Sequence, residues 1–313
     1  MLACAVLVAA LSFSATLIPV AGDTNPDLQG IAVGPDRALW FVEYEAGAIG
    51  RVTTDGKLTE FPLPKDRFFG LQSIVAGPDG ALWFTEYVAG AIGRMTTSGS
   101  YTEYAIPDDA GSASPTGIAV GSDGALWFTQ YERSKIGRIS VDGKIAEYPI
   151  GADGEPYAIA PGSDGALWFT ERHHGIGRIG TDGKISDYPT GSLEARDRDP
   201  FAIAAGPDGA LWFTDTTLGE IGRITTHGAR TYYTVGEHSP PEAITAGSDG
   251  ALWFTTYDDQ EFGRITTHGV TTFYLRKRHD DMHDNPFGLA TGPDGALWFT
   301  RYNDAAVSRA SIR

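Results

Sequence analysis

The chain has 313 residues, 42% of them apolar, with 40 glycines and a formal net charge of −16. That apolar share excludes a disordered chain, and the acidity repels phosphate backbones, so no nucleic-acid partner is expected. Cys4 is the only cysteine, so no internal disulfide can form.

In chain order, the first segment is "MLACAVLVAALSFSATLIPVAG", residues 1–22, which carries no charged residue. It reads as a secretory apolar region with small residues near a cleavage point, so residues 1–15 are expected to be a signal peptide and the protein secreted or periplasmic. No other segment is long and apolar enough to span a membrane as a helix.

From there the sequence repeats itself. Trp40, Trp83, Trp127, Trp168, Trp212, Trp253 and Trp298 all lie in an Ala-Leu-Trp-Phe motif, at spacings of 43, 44, 41, 44, 41 and 45 residues. Seven units of that length predict an all-β, seven-bladed β-propeller with four-stranded blades. In one unit, "GIAV" (117–120) is the inner strand, "GSDG" a tight hairpin, "ALWFTQ" the second strand, "KIGRIS" the third, "VDGK" another hairpin and "IAEYPI" the outer strand. The domain is read as residues 16–313, with blades near 23–66, 67–109, 110–153, 154–199, 200–239, 240–282 and 283–313. The last unit stops after three strands. Residues 16–22 resemble the outer-strand segments and are expected to close it, removing the free edge.

Hairpin geometry separates two faces. On one, the short Asp-Gly turns are nearly identical and read as scaffold, with His227 and His268 as solvated turn residues. The arginines Arg51, Arg94, Arg138, Arg178, Arg223, Arg264 and Arg309 recur in every third strand, so they read as hydrogen-bonding anchors between blades. On the other face the connections vary and carry charge, as functional loops do. There the residue opening each inner strand is Gln29, Gln72, Thr116, Tyr157, Phe201, Glu242 or Phe287. The residue ending each second strand is Glu43, Glu86, Gln130, Glu171, Asp215, Thr256 or Arg301. These are expected to form an acidic, aromatic rim at the mouth of the central channel. Glu43, Glu86, Thr116, Glu171, Glu242 and Arg301 are the candidate ligand-binding residues.

The repeated segments, such as "GIAVGPDRALWFVE" (30–43), "IGRI" (136–139) and "DGKIAEYP" (142–149), resemble the virginiamycin B lyase (streptogramin B lyase) family over residues 23–313. The resemblance implies a Mg2+-dependent elimination that opens the ester-closed ring of cyclic depsipeptide antibiotics. It also implies a His opening the inner strand of one blade, then Glu-x-His and a second-strand Glu in the next. Carboxylates would hold the hard cation, the cation would polarise the ester, and the His would take the α-proton. In blades six and seven this chain has Glu242, Asn285, Phe287 and Arg301 at those four positions. All four depart. Blade four restores part of the pattern, with Glu155 and Glu171 as candidate metal ligands and Tyr157 and His174 as candidate catalytic residues.

The reading is a secreted lyase-like propeller, expected as a monomer. It binds a small molecule, peptide or glycan at the funnel, with the standard catalysis lost or altered. An active Mg2+-dependent lyase with a relocated site and a structural or adhesion propeller are the alternatives. Whether it is an enzyme stays open at this level.

Overall fold

The computed structural model describes residues 7–8, 15–20, 27–64, 67–107, 113–151, 154–190, 198–235, 240–256, 261–275, 286–302 and 305–312. Seven antiparallel sheets are arranged in a ring, their inner strands neighbouring one another from blade to blade. Blade four shows the plan, with strands Pro156–Pro161, Leu167–Glu171, Gly175–Ile179 and Ile185–Pro189. No helix among the described residues is long and apolar enough to cross a membrane.

Ring closure falls where the sequence places it. Ala15–Pro19 pairs antiparallel with the third strand of blade seven, Thr16 opposite Arg309 and Ile18 opposite Val307. In six blades an aromatic residue of the outer strand stacks on the Trp of its own blade, with ring centroids 5.0 to 5.6 Å apart. Ile18 joins the Trp298 cluster in that role for blade seven. One addition was not expected: Leu7–Val8 pairs parallel with Thr272–Phe273 at the outer edge of blade six.

The turn aspartates and the arginines form one device, repeated in all seven blades. Each Asp accepts from the Trp indole nitrogen at 2.9 to 3.2 Å and from the Arg Nε at 2.6 to 2.8 Å, as Asp164 does with Trp168 and Arg178. This corrects the expected role of the arginines. Each ties the third strand to the first hairpin of its own blade and does not bridge to the next.

The link between blades comes from the Thr of Trp-Phe-Thr. In blade four the Thr170 hydroxyl accepts from Ala158 N at 3.0 Å and donates to the Phe201 carbonyl of blade five at 2.9 Å. The same pair of bonds recurs at Thr85, Thr129, Thr214 and Thr300, the last reaching Gln29 across the ring junction. The amide that donates belongs to a register shift in each inner strand, between Pro156 and Ile159 in blade four. Such a bulge re-aims one side chain, and here that is the residue opening the inner strand.

Candidate functional site

The loop face collects most of the expected residues, but in two separate layers. The second-strand termini do not rim the channel. Side chains alternate along a strand. Thr170 points to the next blade, so Glu171 leaves the opposite face and meets its own blade's outer strand, where Asp187 lies. Burial first, and the Asp187 charge second, push Glu171 up to about 8. Glu43 is pushed up to about 7 by burial and by Glu60. Glu86 is raised to about 7 by burial, against an opposing hydrogen bond from the Tyr101 hydroxyl at 2.7 Å. The expected acidic rim is thus a set of buried carboxylates in the clefts between blades.

The channel mouth itself is aromatic. Tyr157 stacks on Phe201 with centroids 4.4 Å apart, and Tyr131 meets Tyr157 edge-on at 6.2 Å. Burial drives the Tyr157 phenol above its ordinary value, so it holds its proton and is no base near neutral pH. Arg172 stands over Phe201 at 5.9 Å and forms a fork on Asp199, at 2.8 and 2.5 Å. Thr216 donates to the same carboxylate at 3.1 Å. Arg172 and Asp199 are 27 residues apart and escaped sequence reasoning; the signal was an Arg flanked by Glu171 and two histidines. Across the mouth, Phe287 lies 6.1 Å from Tyr302. Glu242 is half-buried, and its charge is felt at Tyr157.

Blade four does not assemble a metal site. Glu155 adopts a left-handed conformation (φ +41°) and accepts from the Tyr131 hydroxyl of blade three at 3.4 Å. Glu171 turns instead towards Asp187, and its Oε1 is buried with no hydrogen-bond partner. His174 is half-buried, held by backbone bonds from its N to Glu171 O at 3.1 Å and from Thr190 N to its carbonyl at 3.3 Å. Thr116 is occupied structurally: its hydroxyl bonds Thr129 at 2.7 Å and the Tyr157 carbonyl at 2.8 Å. Among the described residues no three His, Cys, Asp or Glu side chains come together as a metal would need.

The positions that the family pattern assigns to Mg2+ do not fit the ion either. Arg301 ends the second strand of blade seven, 3% exposed, where the pattern asks for a carboxylate. Phe287 offers no donor atom, and Asn285 lies outside the described residues. A buried guanidinium at a ligand position repels a divalent cation.

A ring of seven four-stranded blades, each holding the same Asp-Trp-Arg device, defines a seven-bladed all-β propeller. The virginiamycin B lyase family model matches residues 19–195 and 190–313, and the chain belongs to that family. The solved virginiamycin B lyase of Staphylococcus aureus superposes with a TM-score of 0.87 at 33% identity, covering 96% of this chain and all of that one. A catalytically inactive His-to-Ala variant of the same enzyme, solved with quinupristin, matches equally well. The Bordetella pertussis virginiamycin B lyase is 47% identical over 49 residues, which is 16% of this chain and 16% of that protein. Hydrazine synthase of Kuenenia stuttgartiensis shares the fold alone, at 13% identity and a TM-score of 0.75.

Proposed function

We propose that this is an exported propeller of the virginiamycin B lyase family that binds an amphipathic small molecule or short peptide at its loop-face mouth, with the elimination chemistry lost. The observation that carries the reading is a pair of residues on the loop side of blade seven. Phe287 cannot take a proton, and buried Arg301 stands where the family pattern has a carboxylate. Binding capacity is supported by what remains. The stacked Tyr157 and Phe201 present flat apolar area, and Arg172, held rigid by Asp199, offers guanidinium edges beside it. The relative solved with quinupristin makes a type B streptogramin the natural probe.

Calorimetric titration of quinupristin into the protein tests this. Saturable binding is expected, weakened several-fold, up to about tenfold, in Tyr157→Ala, because stacked aromatic contact contributes roughly 0.5–1.5 kcal/mol beyond area burial. Absence of binding at high protein concentration, or equal binding by the variant, would overturn the assignment of this ligand class to the mouth.

A further inference from the structure

Seven equivalent slots lie where the end of each second strand faces the outer strand. Strand register defines them. In blade one Glu43 pairs with Ala48, and Glu60 pairs with Gly50, so both acids leave the same face of the sheet over small residues. Carboxylates occupy the corresponding places in blade two, as Glu86 and Glu103. Blade three has Gln130 and Glu147, and blade five has Asp215, with Glu220 at its third-strand start.

In those three blades the chain supplies its own cation. Arg67 reaches Glu103 and lies 3.9 Å from Glu86. Lys135 Nζ sits 3.2 Å from Glu147. Arg198 is 3.1 Å from Asp215 and 2.8 Å from Glu220. In blade one, among the described residues, neither Glu43 nor Glu60 has an ion-pair partner. Glu43 is 3% exposed, and one carboxylate oxygen of each acid, Oε1, is buried without a hydrogen bond. Two facing carboxylates with orphaned buried oxygens are costly unless something positive lies between them. Blades two, three and five show that this slot accommodates a positive group, whereas in blade four Glu171 faces Asp187 without an ion pair among the described residues, and only one of those two acids has an orphaned buried oxygen.

We propose that a hard divalent cation, Mg2+ or Ca2+, binds between the Glu43 and Glu60 carboxylates of blade one. The donors are oxygen only, which selects a hard ion. Two carboxylates balance its charge, and water completes a coordination shell that the protein does not fill, as Mg2+ in particular tolerates. The slot lies on the Phe41 face of blade one, which packs against Trp298 and Val307 of blade seven.

The test uses full-length protein stripped of metal, titrated with MgCl2 and separately with CaCl2 at pH 8, with bound ion counted and the thermal midpoint recorded. The wild type is expected to bind and to melt higher with at least one of the two ions. Glu60→Gln should bind one equivalent fewer. Ala48→Lys places an ammonium where blade three has Lys135. It should also lose that equivalent and melt in chelator at least as high as the wild type does with metal. Glu60 is half-buried, so its amide variant tests the site even where Ala48→Lys does not fold. No binding of either ion by the wild type overturns the proposal. So does an unchanged ion count in Glu60→Gln, which locates the ion elsewhere. A midpoint that responds to pH but to neither ion means that a proton holds the pair, and it too overturns the proposal.

Discussion

Arg37 stands in the first hairpin of blade one at φ +62°, where the other six blades place glycine at φ +72° to +78°. A side chain in that region costs about 1–2 kcal/mol, partly offset by the unfolded freedom that glycine adds. Arg37→Gly should therefore raise the unfolding free energy by up to about 1 kcal/mol, read as a higher denaturant midpoint at unchanged slope. The buried carboxylates act through pH. Glu171 has an ordinary value of 4.5 and a folded value of about 8, so the folded protein retains a proton that the unfolded chain gives up. Its stabilising share is complete below about pH 4.5 and is lost as pH rises through about 8; Glu43 and Glu86 act in the same direction up to about 7. Urea midpoints measured in chelator at pH 5 and pH 9 should fall with pH, and Glu171→Gln should narrow that gap. An unchanged gap would mean that Glu171 is ionised throughout. At this scale the turn residues were legible, because an Asp-Gly hairpin is a local signal. The Arg172–Asp199 fork was not, since it joins residues 27 apart through a loop whose course no periodicity reports.

The strands themselves were readable to within a residue or two because seven copies of one pattern reinforce each other. What the pattern hid was the bulge in every inner strand and the threonine that uses it. Thr170→Val removes an acceptor from Ala158 N and a donor to Phe201 O in a buried place. The expected loss is about 1–3 kcal/mol. Blade one is the natural counterpart, since Val42 occupies the threonine position and is fully buried. Val42→Thr should gain up to about 1 kcal/mol by restoring the staple to blade two. Opposite signs in the two variants, measured by chemical unfolding, check the staple; equal losses would show that burial of the hydroxyl costs more than its bonds return. The direction of the second-strand glutamates is a consequence of the same alternation. Read as a list of blade ends they looked like a rim, but the threonine fixes one face and leaves the glutamate on the other.

Across the whole molecule, repeat length gave the blade count and the missing fourth strand of the last unit gave the closure by Ala15–Pro19. The family was legible in the same repeats, and the structural match at 33% identity over essentially the full chain agrees. Chemistry was legible only as a set of departures, because seven near-identical blades offer many Glu-x-x patterns by repetition alone. Blade four illustrates this: Glu155 and Glu171 have the spacing of a ligand pair, yet one turns to Tyr131 and the other to Asp187. The central claim, a family propeller without the family reaction, is tested most directly by incubating the purified protein with a type B streptogramin, with Mg2+ and separately with chelator. The products are followed by liquid chromatography and tandem mass spectrometry. The cyclic antibiotic is expected to be recovered intact at high protein concentration under both conditions. A ring-opened product of unchanged mass, formed with Mg2+ and abolished by chelator, would contradict that claim and show that the elimination survives in this chain.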